Sequence, residues 1–223
     1  MTRHLLAAAL VLAAASVGAQ TQHGRLFDPT NLGLLEGPDR DAWQRPDQIM
    51  DALQIGEGSV VADLGAGGGW FTVRLARRVG PNGHVFAQDI QKEMLDSIRR
   101  RVEREGNLGK RVSLRLGTDN DVNLPRGTLD AVLIVDAYHE MAQPVVLLRS
   151  LSQALKPGGR VGIVEFTNEG GGPGPRMNER VDPQQVISSA EAAGLRLTGR
   201  ERLRYQYMLI FERAESTPGT PAR

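Results

Sequence analysis

VVADLGAGGGW, Val60 to Trp70, sets four glycines in five positions directly after a short apolar run. A backbone so bare of side chains marks a place where something approaches the chain closely. The apolar run reads as a buried strand. The "WFTVRLARRV" that follows reads as a helix with Phe71, Leu75 and Val79 turned inward. Strand, glycine turn and helix form the start of an α/β unit, and the segments on either side extend the pattern.

Downstream, "GHVFAQDI" reads as a second strand and "KEMLDSIRRRVEREG" as a charged amphipathic helix. "RVSLRLG" and "LDAVLIVD" are further strands, the second apolar almost throughout, as a strand buried on both faces should be. "PVVLLRSLSQALKPGG" is expected to be a helix stopped by Pro157 and its glycines, with "RVGIVEF" the next strand. Beyond the loop "TNEGGGPGPRMN", "DPQQVISSAEAAG" is a helix with Asp182 as its cap and Pro183 in its first turn. "LRLTGRERL" and "YQYMLIFERA" close the chain as two strands, expected to pair antiparallel. The expected fold is therefore α/β, a doubly wound, Rossmann-like, mostly parallel seven-stranded sheet with an antiparallel C-terminal strand pair.

Upstream, "RPDQIMDALQI" reads as a short helix starting at Pro46. Residues 20–46, with the turn-rich "FDPTN" and "EGPDRD", read as an irregular arm or lid. Residues 47–213 are the expected domain and 214–223 a solvated tail. The start of the chain has the form of an export signal over residues 1–19: "MTRH" is basic, "LLAAALVLAAASV" apolar, and "VGA" supplies small residues for cleavage. The expectation is a periplasmic protein without a stable membrane span once the signal is cleaved, or a cytoplasmic one if the start codon is mis-assigned. With no cysteine, disulfides and a cysteine-linked lipid anchor are excluded.

The 223 residues are 40% hydrophobic and 24% charged, enough apolar material for one core. Setting Arg3 aside with the signal leaves 26 basic against 26 acidic residues (27 minus 1, against 26). That balance gives no electrostatic reason for nucleic-acid binding, and Arg99-Arg100-Arg101 reads as the solvated face of a helix.

Three ligand types compete for a glycine turn in this position. A phosphate-cradling P-loop needs Lys and then Ser or Thr after its last glycine, whereas Trp70 and Phe71 follow here. A dinucleotide turn needs its third glycine at position 70, where helix and strand pack closely, and Trp70 is too bulky for that. What remains is a turn flanked by carboxylates. Asp63 ends the first strand, and Asp89 ends the second, where a carboxylate can accept both hydroxyls of a ribose. Aspartate at a strand end also caps or forms turns, so each alone is more readily a structural residue, and their register with the glycine turn is what favours function.

In these features the chain resembles the class I S-adenosylmethionine-dependent methyltransferases, with "VVADLGAGGGWFTVRLA" as their first motif and "VFAQDIQKEML" as their second. The resemblance runs from about Trp43 to Arg213. It implies S-adenosyl-L-methionine as cofactor and a small-molecule methyl acceptor. It further implies that Asp63 anchors the turn near the methionine amino group and that Gly65, Ala66, Gly67 and Gly69 let the backbone lie against the cofactor. Asp89 would take the ribose, and Ile90 and Met94 would flank the adenine. The third motif departs from the family form as "GTDNDVNLP", so Thr118 with Asp119 or Asp121 competes for the adenine amine. Asp136 lies where the family meets the methionine moiety or the substrate.

Methyl transfer from a sulfonium is an in-line displacement, and a base is needed only where the acceptor must lose a proton. The candidates are Asp136, Tyr138 and His139 in "DAYHEM", with His139 the expected base for a phenol or hydroxyl. No second histidine follows His139-Glu140 at helical spacing, and His4, His23 and His84 are scattered, so no metal site is expected. "DRDAWQRP" and "TNEGGGPGPRMN" are the expected lids, with Trp43 and Arg45 as possible contacts to the cofactor carboxylate or acceptor. Glu165, ending the fifth strand, is a further candidate to face the pocket. A non-catalytic protein binding S-adenosylmethionine, its demethylated product or another nucleoside is the alternative reading.

Overall fold

The computed structural model describes residues 26–214, so the expected export signal, the first residues of the arm and the tail after Ala214 lie outside the described residues. The elements of the first half are α1 (Arg40–Gln44), α2 (Pro46–Ala52), β1 (Val60–Leu64), α3 (Trp70–Arg78), β2 (His84–Asp89), α4 (Lys92–Arg104) and β3 (Val112–Leu116). The second half adds β4 (Leu129–Val135), α5 (Pro144–Ala154), β5 (Leu155–Phe166), α6 (Pro183–Ala192), β6 (Leu195–Arg202) and β7 (Gln206–Arg213).

Successive residues of the central strands enter opposite cores. Val61, Ala131 and Leu133 pack in a cluster with Phe71, Leu75 and Ile98. Ala62, Val132 and Ile134 belong to one with Leu148, Leu151 and Ile187. This two-residue period is what a sheet covered on both sides requires. Helices α2, α3 and α4 cover one face, and α5 and α6 the other. Among the described residues no helix is long and apolar enough to cross a membrane.

The sheet order is β3-β2-β1-β4-β5-β7-β6. Strands β1 to β5 pair in parallel, and β7 runs antiparallel to both β5 and β6, as the sequence pattern implied. The chain moves outward from β1 through β2 to β3 and then returns to the other side of β1 as β4. Such a reversal opens a crevice at the carboxyl ends of β1 and β4, where ligands of doubly wound sheets bind.

Two expectations need correction. Helix α5 ends at Ala154, and "LKPGG" already belongs to β5. Leu129 pairs with Leu155 and Ala131 with Arg160, so Lys156 to Gly159 bulge opposite the single residue Asp130. Pro157 and Gly158 therefore shape a strand bulge instead of stopping a helix. The arm is also more ordered than its composition suggested. Asp28 caps a 3₁₀ turn over Pro29–Leu35 by accepting the Thr30 N–H at 2.9 Å, and α1 follows.

Candidate functional site

The crevice between β1 and β4 opens into a cavity of about 590 Å³. Its floor is the glycine turn. Gly65 has φ 69°, and a Cβ there would lie 2.5 Å from the Ala137 Cβ, so only glycine fits between the ends of β1 and β4. The turn is tied to β2: the Gly65 and Ala66 N–H groups donate to the Gln88 carbonyl at 2.9 and 3.0 Å. Gly65, Ala66 and Gly67 line the cavity. Gly69 does not; it sits at the start of α3 with φ 81° against Ile98, so its role is structural.

Carboxylates surround this floor. Asp63 is buried and accepts the Thr72 hydroxyl at 2.6 Å. Burial lifts its pKa to about 6, helped by nearby Asp89 and opposed by Thr72 and Arg40. Asp89 is likewise raised by burial, against the pull of backbone donors from Gln91, Gly67 and Ile90. Asp136 follows β4 with φ 52°, its N–H held by the Val164 carbonyl at 2.8 Å. Burial and then Glu165 raise its pKa to about 7, with His139 and Arg40 opposing. Asp63, Asp89 and Asp136 all line the cavity, with Ile90, Met94, Thr118 and Asp119 further along the wall. Asp121 turns away, accepting the Ser150 hydroxyl at 2.9 Å and the Asn123 N–H at 3.0 Å. Of the two competing aspartates, Asp119 is the one at the cavity.

The turn after β4 divides its side chains. His139 lines the cavity, whereas Tyr138 is buried in the core cluster that includes Val186 and Ile187 of α6. Adjacent residues of a 3₁₀ turn point in different directions, which removes Tyr138 from the candidate catalytic set. Glu165 is fully buried behind the turn, away from the cavity wall. One of its oxygens accepts the Tyr138 N–H at 2.7 Å and the His139 N–H at 3.3 Å, and the other meets His139 Nδ1 at 3.0 Å. Burial disfavours a charged His139 ring, but the Glu165 hydrogen bond and the charges of Glu165, Asp136 and Glu140 outweigh it and raise the pKa to about 9.

Both expected lids contribute to the wall: Phe27, Leu35 and Arg40 from the arm, and Pro173, Pro175 and Arg176 from the glycine-rich loop. Phe27 is held from both sides, its N–H donating to Glu140 at 3.1 Å and its carbonyl accepting from the Gln91 amide at 3.0 Å. The arm residues singled out from the sequence stand elsewhere. Trp43 packs against Phe166 and Tyr205 with ring centroids 5.7 and 6.2 Å away, and Arg45 borders a separate groove with Arg77 and Arg78. Arg40 takes the place expected of them. Its guanidinium lies 4.2 Å from the Trp70 ring centroid and donates to the Leu35 carbonyl and, at 3.1 Å, to Gln44. Burial lowers its pKa to about 10, opposed first by Asp136 and then by Asp63. Trp70, which excluded a dinucleotide, is the platform for this cation. Sequence reasoning missed Arg40, because it read this segment as irregular; α1 sets Arg40 and Gln44 one turn apart on the same face.

Residues 61–159 match the model of a family described as a methyltransferase domain. A ubiquinone/menaquinone biosynthesis C-methyltransferase of Pasteurella multocida is 33% identical over 125 residues, 56% of this chain and 46% of that protein. A demethylmenaquinone methyltransferase of Lactobacillus johnsonii is 29% identical over 139 residues, 62% of this chain and 55% of that one. The chain thus spans about half the length of the curated relatives it matches. Among solved structures, a SAM-dependent methyltransferase from Aquifex aeolicus superimposes with a TM-score of 0.78 at 27% identity, covering 83% of this chain and 98% of that one. Over residues 61–159 the chain is thus similar to a methyltransferase domain, and its sheet shares the fold of the Aquifex aeolicus SAM-dependent methyltransferase.

Proposed function

We propose that the protein transfers a methyl group from S-adenosylmethionine to a small-molecule acceptor at this cavity. The observation that carries the reading is the lining itself. The glycine turn and the carboxylates ending β1 and β2 share one acid-rich cavity at the point where strand order reverses. Among its charged side chains, Asp63, Asp89, Asp119, Asp136 and Glu140 stand against Arg40 and Arg176. Such a cavity favours a cationic ligand, and S-adenosylmethionine carries a sulfonium and an ammonium.

The residues present suit the parts of that molecule. Asp89 would hold the ribose hydroxyls, and Ile90, Met94, Thr118 and Asp119 the adenine. Asp63 and Asp136 would face the ammonium end, and Arg40 the carboxylate. Bound there, the sulfonium supplies an activated methyl group, and the chain's own work is to align an acceptor with it and keep water out. The names of the similar quinone-pathway enzymes support an organic ring as the acceptor. Export through residues 1–19 belongs to the same reading, and the N-terminal mass of the mature protein tests it.

Calorimetry with S-adenosylmethionine and S-adenosylhomocysteine tests the cofactor assignment. Binding of both is the expected outcome, and binding of neither overturns it. Binding without methyl transfer to any acceptor in a broad panel turns the reading into that of a binding protein.

A further inference from the structure

Arg40 reaches the cofactor cavity from α1, a helix of only 5 residues. Among the charges around it, Asp136 and then Asp63 attract it most strongly. A guanidinium drawn onto either carboxylate would have few N–H groups left for a ligand. What holds it in place is a chain of buried amides. Arg40 Nε donates to Gln44 Oε1 at 3.1 Å, and Gln44 Nε2 donates to Gln206 Oε1 at the start of β7. Both glutamines are fully buried. Trp43 seats the same helix on Phe166 and Tyr205, so the relay ends on the sheet itself.

The direction of the relay follows from its first member. A guanidinium only donates, so Gln44 must turn its oxygen to Arg40 and its amide nitrogen to β7, and Gln206 must answer with its own oxygen. Gln206 Nε2 is thereby left buried without a hydrogen-bond partner among the described residues. An unmade hydrogen bond of this kind lowers stability, whereas leucines at both positions would pack without one. Packing therefore does not call for glutamine at 206, but an acceptor for Gln44 does. Of the five N–H groups of a guanidinium, Arg40 engages one with Gln44 and one with the Leu35 carbonyl. Five less two leaves three for the cavity that Arg40 lines.

We propose that Gln206, acting through Gln44, is the positioning residue that keeps the Arg40 fork open for the cofactor carboxylate and so sets selectivity for a ligand with an amino-acid end. This rests on the assignment of Arg40 to that carboxylate above. Held at Nε and Nη1 and stacked on Trp70, the guanidinium keeps its plane, while Nη2 stays unengaged among the described residues. A two-pronged contact with a carboxylate requires a plane fixed in this way. No bond is made or broken and no proton moves, so the whole effect is one of orientation from a rigid strand. Without the relay the same cation would turn to Asp136. The cavity would then bind nucleosides with and without the carboxylate alike.

The test is calorimetry of the full chain with S-adenosylmethionine and with its decarboxylated form. Wild-type protein should prefer the first by at least about tenfold, as one charge-assisted hydrogen bond implies. Gln206→Leu should lose most of that preference while binding the decarboxylated form within about twofold of wild type. Gln206→Glu, which keeps an acceptor for Gln44, should restore it. The double variant Gln44→Leu, Gln206→Leu should behave as Gln206→Leu does and melt near wild type, and it replaces the single variant if one leucine alone prevents folding. A fall in affinity for both ligands by the same factor, or a preference that survives in both leucine variants, makes the glutamines structural and overturns the relay. No preference in the wild type overturns the role of Arg40 on which the relay rests. Binding of neither ligand is a separate result that removes the cofactor reading itself.

Discussion

Gly67 donates its backbone N–H to Asp89 Oδ2 at 2.9 Å, and Gln91 donates to Asp89 Oδ1 at 2.9 Å. The carboxylate that ends β2 therefore fastens the glycine turn of β1 while facing the cavity. Capping and ligand binding, which the sequence presented as rival roles for Asp89, are compatible, since each oxygen has a second lone pair.

Asp89→Ala is expected to weaken S-adenosylhomocysteine binding by more than tenfold. Two charge-assisted hydrogen bonds to a ribose, each about 1.5–3 kcal/mol, would be lost. The same substitution frees the Gly67 N–H, so amide hydrogen exchange at residues 65–67 should accelerate in the unliganded protein. An unchanged dissociation constant with faster exchange would make Asp89 a cap alone.

Arg40 is expected to read the carboxylate of the cofactor. Wild-type protein should bind S-adenosylmethionine at least about tenfold more tightly than its decarboxylated form, the worth of one charge-assisted hydrogen bond. In Arg40→Ala the two ligands should bind alike. Arg40→Lys should recover part of the preference, since an ammonium keeps the charge but loses the planar stack on Trp70. Equal discrimination in wild type and Arg40→Ala would place the carboxylate elsewhere.

Asp119 and Asp121 should separate cleanly. Asp119→Ala should weaken the cofactor with little effect on melting. Asp121→Ala, which releases the exposed Ser150 hydroxyl and Asn123 N–H, should lower stability by no more than about 0.5–1.5 kcal/mol with binding unchanged. Thermal melts paired with calorimetry distinguish the two.

What the sequence made legible follows from where the information resides. Alternating apolar runs dictate strands with two covered faces, so sheet composition and the C-terminal pair could be read locally. Asp63, Asp89 and the glycine turn adjoin strand ends visible in the sequence, and the parallel sheet brings those ends together. Arg40 was hidden because its position depends on α1, which is docked by Trp43 against Phe166 and Tyr205, residues more than a hundred positions away. Tyr138 and His139 share one short turn, and only its 3₁₀ geometry decides which of them meets the cavity. Lys156 to Gly159 carries the composition of a helix stop, yet pairing of β4 with β5 on both sides makes it a bulge.

The site also carries a cost that pH should expose. Asp63, Asp136 and His139 all have pKa values raised above their ordinary ones, to about 6, about 7 and about 9. The folded protein therefore binds more protons than the unfolded chain between each pair of values, and stability must fall as pH rises through those windows. For Asp63 the loss runs from about 3.8 to about 6; for His139 it runs from 6.5 to about 9. Denaturant melts of the unliganded protein should show unfolding free energy declining from pH 5 to pH 9. Asp63→Asn should flatten the acidic part of that decline, because the amide keeps an acceptor for Thr72 without a charge to bury. His139→Gln should flatten the part above pH 6.5. A bound sulfonium cation should offset the buried carboxylates, so saturating S-adenosylmethionine should stabilise the protein more at pH 8 than at pH 5. Equal stabilisation at both would show that the acidic lining does not meet the cation.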